Sequence, residues 1–329
     1  MLKILAIGLL ALGVLSLLAQ VPGLDSGSPA PWLPGQRVLL DAHNCYPYNG
    51  RWADRLDRAL GTGTPLAIEE DLFWFTDKKS GRSRSVVSHG KPVSGNEPTL
   101  ETYFLERIRP IMEEALQANP RTNWPLITLN LDFKTNEPEH LAAIWELLGK
   151  YESWLCTAER VEDSKRVMPM DLKPLLVLAG DFDAQEEAFH NRVPVGAKLR
   201  LFGAVHVQKE DAGMAPERMV RHSATNYRRW WNNPWKVVEK AGQARTGDWT
   251  PESMRRLRSL VDQAHAMGLW IRFYTLNGHD RAEGESLGWD AGYNFGSKEK
   301  VLTRWRAAIQ AGVDFVATDQ YEDLAQVKR

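Results

Sequence analysis

Short apolar runs alternate with longer amphipathic segments along most of the chain. The runs contain few polar positions, which is typical of strands buried on both faces of a parallel sheet. In the longer segments, apolar residues recur with the spacing of one helical face. Eight strands are predicted at residues 38–40, 65–68, 126–132, 175–178, 199–205, 222–226, 269–275 and 313–317, with a further short run at 86–88. Helices are predicted at residues 51–60, 100–116, 138–148, 251–267 and 298–310.

This repeated order of strand and helix predicts an α/β protein with a parallel sheet and crossover helices. The length of 329 residues suits a single-domain TIM-type (β/α)8 barrel, since such barrels typically need about 250 residues. A doubly wound open sheet is the alternative. No glycine-rich phosphate loop follows the first predicted strand, which argues against a nucleotide-binding form of that sheet.

Residues 1–20 differ from the rest of the chain, because Lys3 is followed by an uninterrupted apolar run over residues 4–18. This pattern predicts a secretory signal peptide, and an uncleaved N-terminal membrane anchor is the alternative. Residues 21–36 are rich in Pro, Gly and Ser and are predicted to form a flexible linker. The folded domain is then expected over residues 37–325 of an exported protein, either periplasmic or secreted.

Charge and cysteine content narrow the classes of partner. The formal net charge of −1 lacks the basic excess of nucleic-acid-binding domains, so no nucleic-acid partner is predicted. The two cysteines, Cys45 and Cys156, do not have the spacing of a zinc site. An exported compartment would permit a disulfide between them, although two free thiols is the interpretation that we favour.

Ionisable residues stand at the carboxyl ends of the first predicted strands. His43 follows the first strand, Glu69 and Asp71 share one face at the end of the second, and His89 follows the short run after it. Neighbouring carboxylates repel one another unless a cation joins them, and two histidines can supply a general base and a general acid. Because barrel active sites are built at the carboxyl ends of the strands, we expect these residues to share one site.

The strand predicted at residues 126–132 adds a further acid and a base. Asp132 ends that strand, and alternation places Lys134 on the same side. A third carboxylate could complete a metal site with Glu69 and Asp71, and the Lys134 ammonium could contact a phosphate oxygen. Since all three ligands are carboxylates, the expected cofactor is a hard divalent cation, Mg²⁺ or Ca²⁺.

In these motifs the chain resembles the phospholipase C-like phosphodiesterase superfamily, which includes glycerophosphodiester phosphodiesterases and phosphatidylinositol-specific phospholipases C. The resemblance extends over residues 37–325, and it looks closest to the altered-inheritance-of-mitochondria protein 6-like branch. Residues 312–319 resemble the last strand of the family and the turn after it. Asn44 stands where glycerophosphodiester phosphodiesterases usually have arginine, so the superfamily is better defined than the substrate. The resemblance implies a TIM barrel whose catalytic residues and metal ligands are His43, His89, Glu69, Asp71 and Asp132.

Two later segments are predicted to contact the substrate. Residues 227–235 concentrate Arg and Trp on an expected loop, where Arg228 could bind phosphate and Trp230 could stack on an organic group. The same segment could instead pack against its own helix or rest on a membrane surface. Tyr274 and Asn277 resemble the end of the family's penultimate strand, where an aromatic residue lines the pocket. The predicted substrate contacts are Asn44, Lys134, Arg228, Trp230, Tyr274 and Asn277.

We therefore predict a metal-dependent phosphoric diester hydrolase. Its substrate would be a small-molecule or lipid phosphodiester of the glycerophosphodiester or phospholipid type, cleaved by acid–base catalysis from the two histidines. One alternative is a non-catalytic exported barrel that binds a glycan or a lipid headgroup. A glycoside hydrolase is a further alternative, because a barrel with paired acids suits that chemistry. Neither alternative requires two histidines and a lysine at the strand ends.

Overall fold

The computed structural model describes residues 32–48, 51–118, 121–206, 214–239 and 245–328. The predicted signal peptide or anchor at residues 1–20, and residues 21–31 of the predicted linker, lie outside the described residues. Among the helices in these ranges, none is long and apolar enough to cross a membrane. The strands are β1 Leu39–Ala42, β2 Leu66–Thr76, β3 Ser83–Val87, β4 Ile127–Phe133, β5 Thr157–Glu159, β6 Met170–Asp171, β7 Leu175–Ala179, β8 Lys198–Leu199, β9 Gly203–Ala204, β10 Arg228–Pro234, β11 Trp270–Tyr274 and β12 Phe315–Thr318.

Helices follow most of the barrel strands and cover the outside of the sheet. They are α1 Arg55–Gly61, α2 Glu106–Ala118, α3 Pro138–Lys150, α4 Asp183–Glu186, α5 Pro216–Met219, α6 Pro251–Ala266, α7 Arg281–Leu287, α8 Lys298–Ala311 and α9 Tyr321–Lys328. Short 3-10 or π-helical turns occur at Glu101–Leu105, Arg121–Asn123, Glu152–Trp154, Glu187–Asn191, Trp235–Val237 and Ala291–Tyr293.

Eight parallel strands form a nearly closed barrel in the order β7-β4-β2-β1-β12-β11-β10-β9. The two ends of this order meet through a parallel bridge between Leu178 and Phe202. The amide of Ala179 donates to the carbonyl of Phe202 at 2.8 Å, and the amide of Ala204 donates to the carbonyl of Gly180 at 3.0 Å. The arrangement is that of the predicted TIM barrel, and the doubly wound open sheet is excluded.

Two predictions of local structure are corrected. The strand expected at residues 222–226 lies instead at β10, within the segment that was expected to be a loop. The reason is that both indoles of this segment are buried, with Trp230 inside the barrel and Trp231 in the outer layer beneath the helices. Strand β2 is also longer than predicted, and its distal half pairs in antiparallel fashion with β3.

The interior of the barrel changes from apolar to charged along its axis. At the amino ends of the strands, Trp230, Trp270 and Phe315 are buried together. Trp32 stacks on Trp270 with ring centroids 4.8 Å apart, so the packed chain begins before residue 37. Alternation along β1 places Leu39 in this apolar layer and then turns Asp41 and His43 towards the same interior nearer the carboxyl end. This polarity leaves a site for chemistry at the carboxyl face.

Candidate active site

A cavity of about 390 Å³ opens at the carboxyl ends of the barrel strands. The structure brings most of the residues singled out in the sequence to this one cavity. They are His43, Asn44, Glu69, His89, Asp132, Lys134 and Tyr274. Asp71 is buried beside them, 3.1 Å from the ammonium of Lys134. Their roles in catalysis and binding stay predictions, but their proximity is now a structural observation.

His43 is held between two carboxylates. Its Nδ1 atom lies 3.3 Å from Oδ2 of Asp319, and its Nε2 atom lies 3.6 Å from Oε2 of Glu69. Burial alone would lower the pKa of His43, but the carboxylates of Glu69 and Asp319 outweigh it, and the pKa is raised. The imidazole is therefore oriented at one nitrogen and faces the acidic group with the other, as a proton-transferring histidine requires.

Asp319 orients this histidine, and it is not among the site residues predicted from the sequence. Its carboxylate accepts hydrogen bonds from Arg55 at 2.6 Å, from Asn44 at 3.0 Å and from the side chain of Asn277. Burial opposes ionisation, but His43 and Arg55 hold the pKa of Asp319 below its usual range. The available signal was the acid directly after the last predicted strand, which follows the same strand-end rule as the other site residues.

Glu69, Asp71 and Asp132 form a compact acidic group. One carboxylate oxygen of each lies within 4.8 Å of the others. Asp71 and Asp132 are directly opposite each other on neighbouring strands β2 and β4. The Lys134 ammonium contacts Asp71 at 3.1 Å and Asp132 at 2.7 Å. One ammonium is therefore shared by two of the three carboxylates, and it offsets only one of their negative charges.

The residues of the acidic group suit a divalent cation. Both carboxylate oxygens of Asp71 are buried and make no hydrogen bond, so the contact with Lys134 is an ion pair without hydrogen-bond geometry. Burial and the negative charge of Asp132 raise the pKa of Asp71 well above its usual value. The single charge of Lys134 leaves these carboxylates with an excess of negative charge, and an oxygen-seeking cation such as Mg²⁺ or Ca²⁺ would offset it.

Glu69 also belongs to a second buried network, which the sequence did not predict. The guanidinium of Arg272 donates to Glu69 at 2.8 Å and to Asn232 at 3.0 Å, and it also pairs with Asp41. Burial would raise the pKa of Glu69, but Arg272 and His43 outweigh it, and the pKa is lowered to about 2. Glu69 is thus ionised and fixed in position. The available signal was a single arginine inside an otherwise apolar predicted strand.

His89 lies on the rim of the cavity and is exposed. Its ring packs against Tyr46 and Tyr48, with centroids 6.4 and 6.0 Å apart. Partial burial, followed by the charge of Lys134, lowers the pKa of His89. The Tyr46 hydroxyl donates to the Asn44 side chain at 2.7 Å. Tyr46 therefore contacts both the ring of His89 and Asn44, which in turn donates to Asp319 beside His43.

Three predicted substrate contacts lie elsewhere. The Arg228 guanidinium is bound by Glu186 and by the carbonyls of Asp181 and Ala204, and it is buried. Trp230 is buried in the barrel, where its indole donates to the carbonyl of Ala179 at 2.9 Å. Asn277 is likewise fully buried and holds Asp319. These predictions are corrected, because each side chain uses its polar atoms within the protein.

Tyr274 and the two cysteines are the remaining residues singled out in the sequence. The ring of Tyr274 stacks beside His43 at 6.2 Å, and burial raises the pKa of its hydroxyl to about 12. The Tyr274 phenol is therefore a neutral group of the cavity wall at neutral pH. Cys45 and Cys156 are both buried and free, as the favoured interpretation of the sequence had it.

Comparisons with known proteins give similarity of fold. No protein-family model matches the chain, and no curated protein matches its sequence. The structure is similar to a glycerophosphoryl diester phosphodiesterase from Parabacteroides distasonis, with 14% identity, a TM-score of 0.41 and coverage of 88% of this chain and 86% of that one. It is also similar to a calcium-dependent phosphoinositol-specific phospholipase C from a Pseudomonas species, with 16% identity, a TM-score of 0.46 and coverage of 87% and 89%.

A protein with an unrelated name matches to a comparable degree. The Plasmodium falciparum HPPK-DHPS protein shows 9% identity and a TM-score of 0.43, and the match covers 89% of this chain and 47% of that one. Because proteins with unrelated names match to a similar degree, these similarities describe the fold and do not assign a function to this chain.

Proposed function

We propose that this chain is a phosphoric diester hydrolase of the phospholipase C-like phosphodiesterase superfamily. The observation that carries the proposal is the placement of His43 beside a compact group of three carboxylates and a lysine, in one cavity at the carboxyl face of the barrel. Glu69, Asp71 and Asp132 would hold a divalent cation, Mg²⁺ or Ca²⁺. The substrate would be a glycerophosphodiester or phospholipid-type molecule.

Each residue of the cavity has a separate role in diester cleavage. A bound cation would neutralise negative charge on the phosphate. Nε2 of His43 faces the acidic group and moves a proton there, while Nδ1 is kept oriented by Asp319. His89, at the rim, provides the second proton-transferring group. Lys134, which contacts Asp71 and Asp132, would hold a phosphate oxygen once a cation shares those carboxylates. One histidine removes the proton of the attacking hydroxyl, and the other protonates the leaving oxygen.

The proposal is tested by hydrolysis of bis-(p-nitrophenyl) phosphate and of a panel of glycerophosphodiesters and lysophospholipids. The purified protein is assayed with Mg²⁺, with Ca²⁺ and with EDTA, beside His43→Ala. A matched control is His222→Ala, because His222 is exposed and does not line the cavity. We expect metal-dependent turnover that is retained in the control and falls by about 10² or more in His43→Ala. A folded protein that binds no metal and cleaves no diester would instead support a non-catalytic binding barrel.

A further inference from the structure

The cavity has an apolar side in addition to its charged side. Phe182, Val205 and Val237 line the wall that follows strands β7, β9 and β10. Of these three, Phe182 is exposed, while Val205 and Val237 are buried and contribute only a small apolar surface. In the strand order of the barrel, β9 and β10 lie across from β1 and β2, which carry His43 and Glu69. A ligand whose phosphate is held at the acidic group would therefore extend its organic part towards this wall.

Phe182 is the residue of this wall that is best positioned to contact a ligand. Its side chain is 53% exposed, although the turn that carries it is firmly held. The Phe182 carbonyl accepts from the amide of Gln185 at 3.0 Å, and the carbonyl of Asp181 accepts from Arg228 at 3.1 Å. The turn is thus fixed on both sides, and the phenyl ring stays in water at the mouth of a cavity. Because the ring is held in position before a ligand arrives, it can contact a ligand at little cost in side-chain ordering.

Lys236 gives the same wall a positive charge. It is exposed and lines the cavity between Pro234 and Val237. The other basic side chains of the cavity, Lys134 and Arg272, are paired with carboxylates. Lys236 forms no ion pair with any residue in the part of the chain that the structure describes. Its ammonium is available to an anionic group of a ligand.

We propose that Phe182, Val205, Val237 and Lys236 form a subsite for the organic substituent of the phosphodiester. The subsite favours a substituent with an apolar face and a negatively charged end. This inference rests on the proposed function, because it needs the phosphate to be held at the acidic group. Phe182 and Lys236 are then specificity-determining residues rather than catalytic ones.

Binding of phosphonates tests the subsite without requiring turnover. Methylphosphonate, phenylphosphonate and 4-carboxyphenylphosphonate are titrated into the full chain with Mg²⁺ or Ca²⁺ and followed by ligand-observed NMR. We expect phenylphosphonate to bind about tenfold more tightly than methylphosphonate, and Phe182→Ala to remove this preference. The added carboxylate should increase affinity by a further factor of about three to ten, and Lys236→Gln should remove that increase.

Two control variants separate the subsite from general surface effects. Val195→Ala removes an exposed apolar side chain, and Lys150→Gln removes an exposed lysine, both outside the cavity. Both should keep the wild-type preferences. Equal affinity of the wild-type protein for methylphosphonate and phenylphosphonate would overturn the subsite and leave the proposed function standing. Failure of all three phosphonates to bind would overturn the subsite together with the phosphate-binding part of the proposed function.

Discussion

Nδ1 of His43 lies 3.3 Å from the carboxylate of Asp319, although 276 residues separate them in the chain. The barrel explains the contact. Strand β1 pairs in parallel with β12, and the register places Ala42 beside Thr318. The residues that directly follow these two, His43 and Asp319, therefore lie side by side. Closing the first strand against the last one creates the oriented histidine on which the proposed chemistry depends.

Replacing Asp319 with Asn should impair catalysis, because the substitution keeps the shape and removes the charge that orients His43. It also leaves Arg55 buried without its ionic partner, so the variant should be less stable than wild type and is assayed below its unfolding temperature. We expect kcat for a diester to fall by about 10² or more, as the imidazole loses its orientation. The carboxylate raises the pKa of His43, so the pKa should fall in the variant and the limb of the pH–rate profile that belongs to His43 should move to lower pH. Asp323→Asn, on α9, is the control. An unchanged profile would reduce Asp319 to a structural role.

The acidic group is expected to bind a metal at the expense of the stability of the metal-free protein. Asp71 is buried without hydrogen bonds, and burial and Asp132 disfavour its charged form. Asp71→Asn should therefore stabilise the protein in EDTA by about 1 kcal/mol, as measured by thermal unfolding. The same change should abolish Mg²⁺ or Ca²⁺ binding in calorimetry. Exposed Asp262 provides a control, since Asp262→Asn should alter neither property. Metal binding that survives in Asp71→Asn would contradict the assigned ligand set.

Arg272 should be required for stability as well as for the site. Its removal leaves Asp41 and Glu69 buried without their shared partner. We expect Arg272→Met to lower the free energy of unfolding by about 3–5 kcal/mol in denaturant titrations. The double variant Asp41→Asn/Arg272→Met should recover part of this loss. Arg281→Met is the control, because that side chain is 92% exposed, and its effect should stay below about 0.5 kcal/mol. A single Arg272 variant as stable as wild type would show that the network is not needed.

His140 predicts how stability changes in mild acid. The ring is fully buried, lies 2.8 Å from the Ser85 hydroxyl and stacks on Trp74, and burial lowers its pKa to about 4. The unfolded chain, with the usual histidine pKa of about 6.5, binds the proton more readily. The stability from neutral His140 is thus complete above pH 6.5 and is lost as the pH falls towards 4. The loss should reach about 2–3 kcal/mol.

The His140 prediction is checked by chemical denaturation between pH 7.5 and about 4. His140→Gln should be less stable than wild type at pH 7.5 but should show a shallower loss in acid. His222→Gln, at an exposed position, should follow the wild-type curve. Parallel curves for wild type and His140→Gln would show that another group controls the acid sensitivity.

Much of the fold and part of the site could be predicted because their signals are local. Apolar runs and helical spacing within a few residues indicated the strand–helix repeat, and the repeat indicated the barrel. Glu69 and Asp71 are neighbours on one face of β2, so alternation alone brought them together. The same alternation predicts that Asp132, near the end of β4, and Lys134, directly after it, lie on one side. The identity of these residues and their place at strand ends therefore follow from the sequence.

The partners of those residues were decided by the tertiary structure. Arg272 reaches Glu69 across 203 residues, and Arg55 reaches Asp319 across 264. Such pairs depend on which strands become neighbours and in what register, and local periodicity has no information about either. The burial of Arg228 and Trp230 could not be predicted for the same reason, since their depth in the barrel depends on where β10 begins. The sequence determined which chemical groups stand at the strand ends, and only closure of the barrel decided which of them are held, paired or buried.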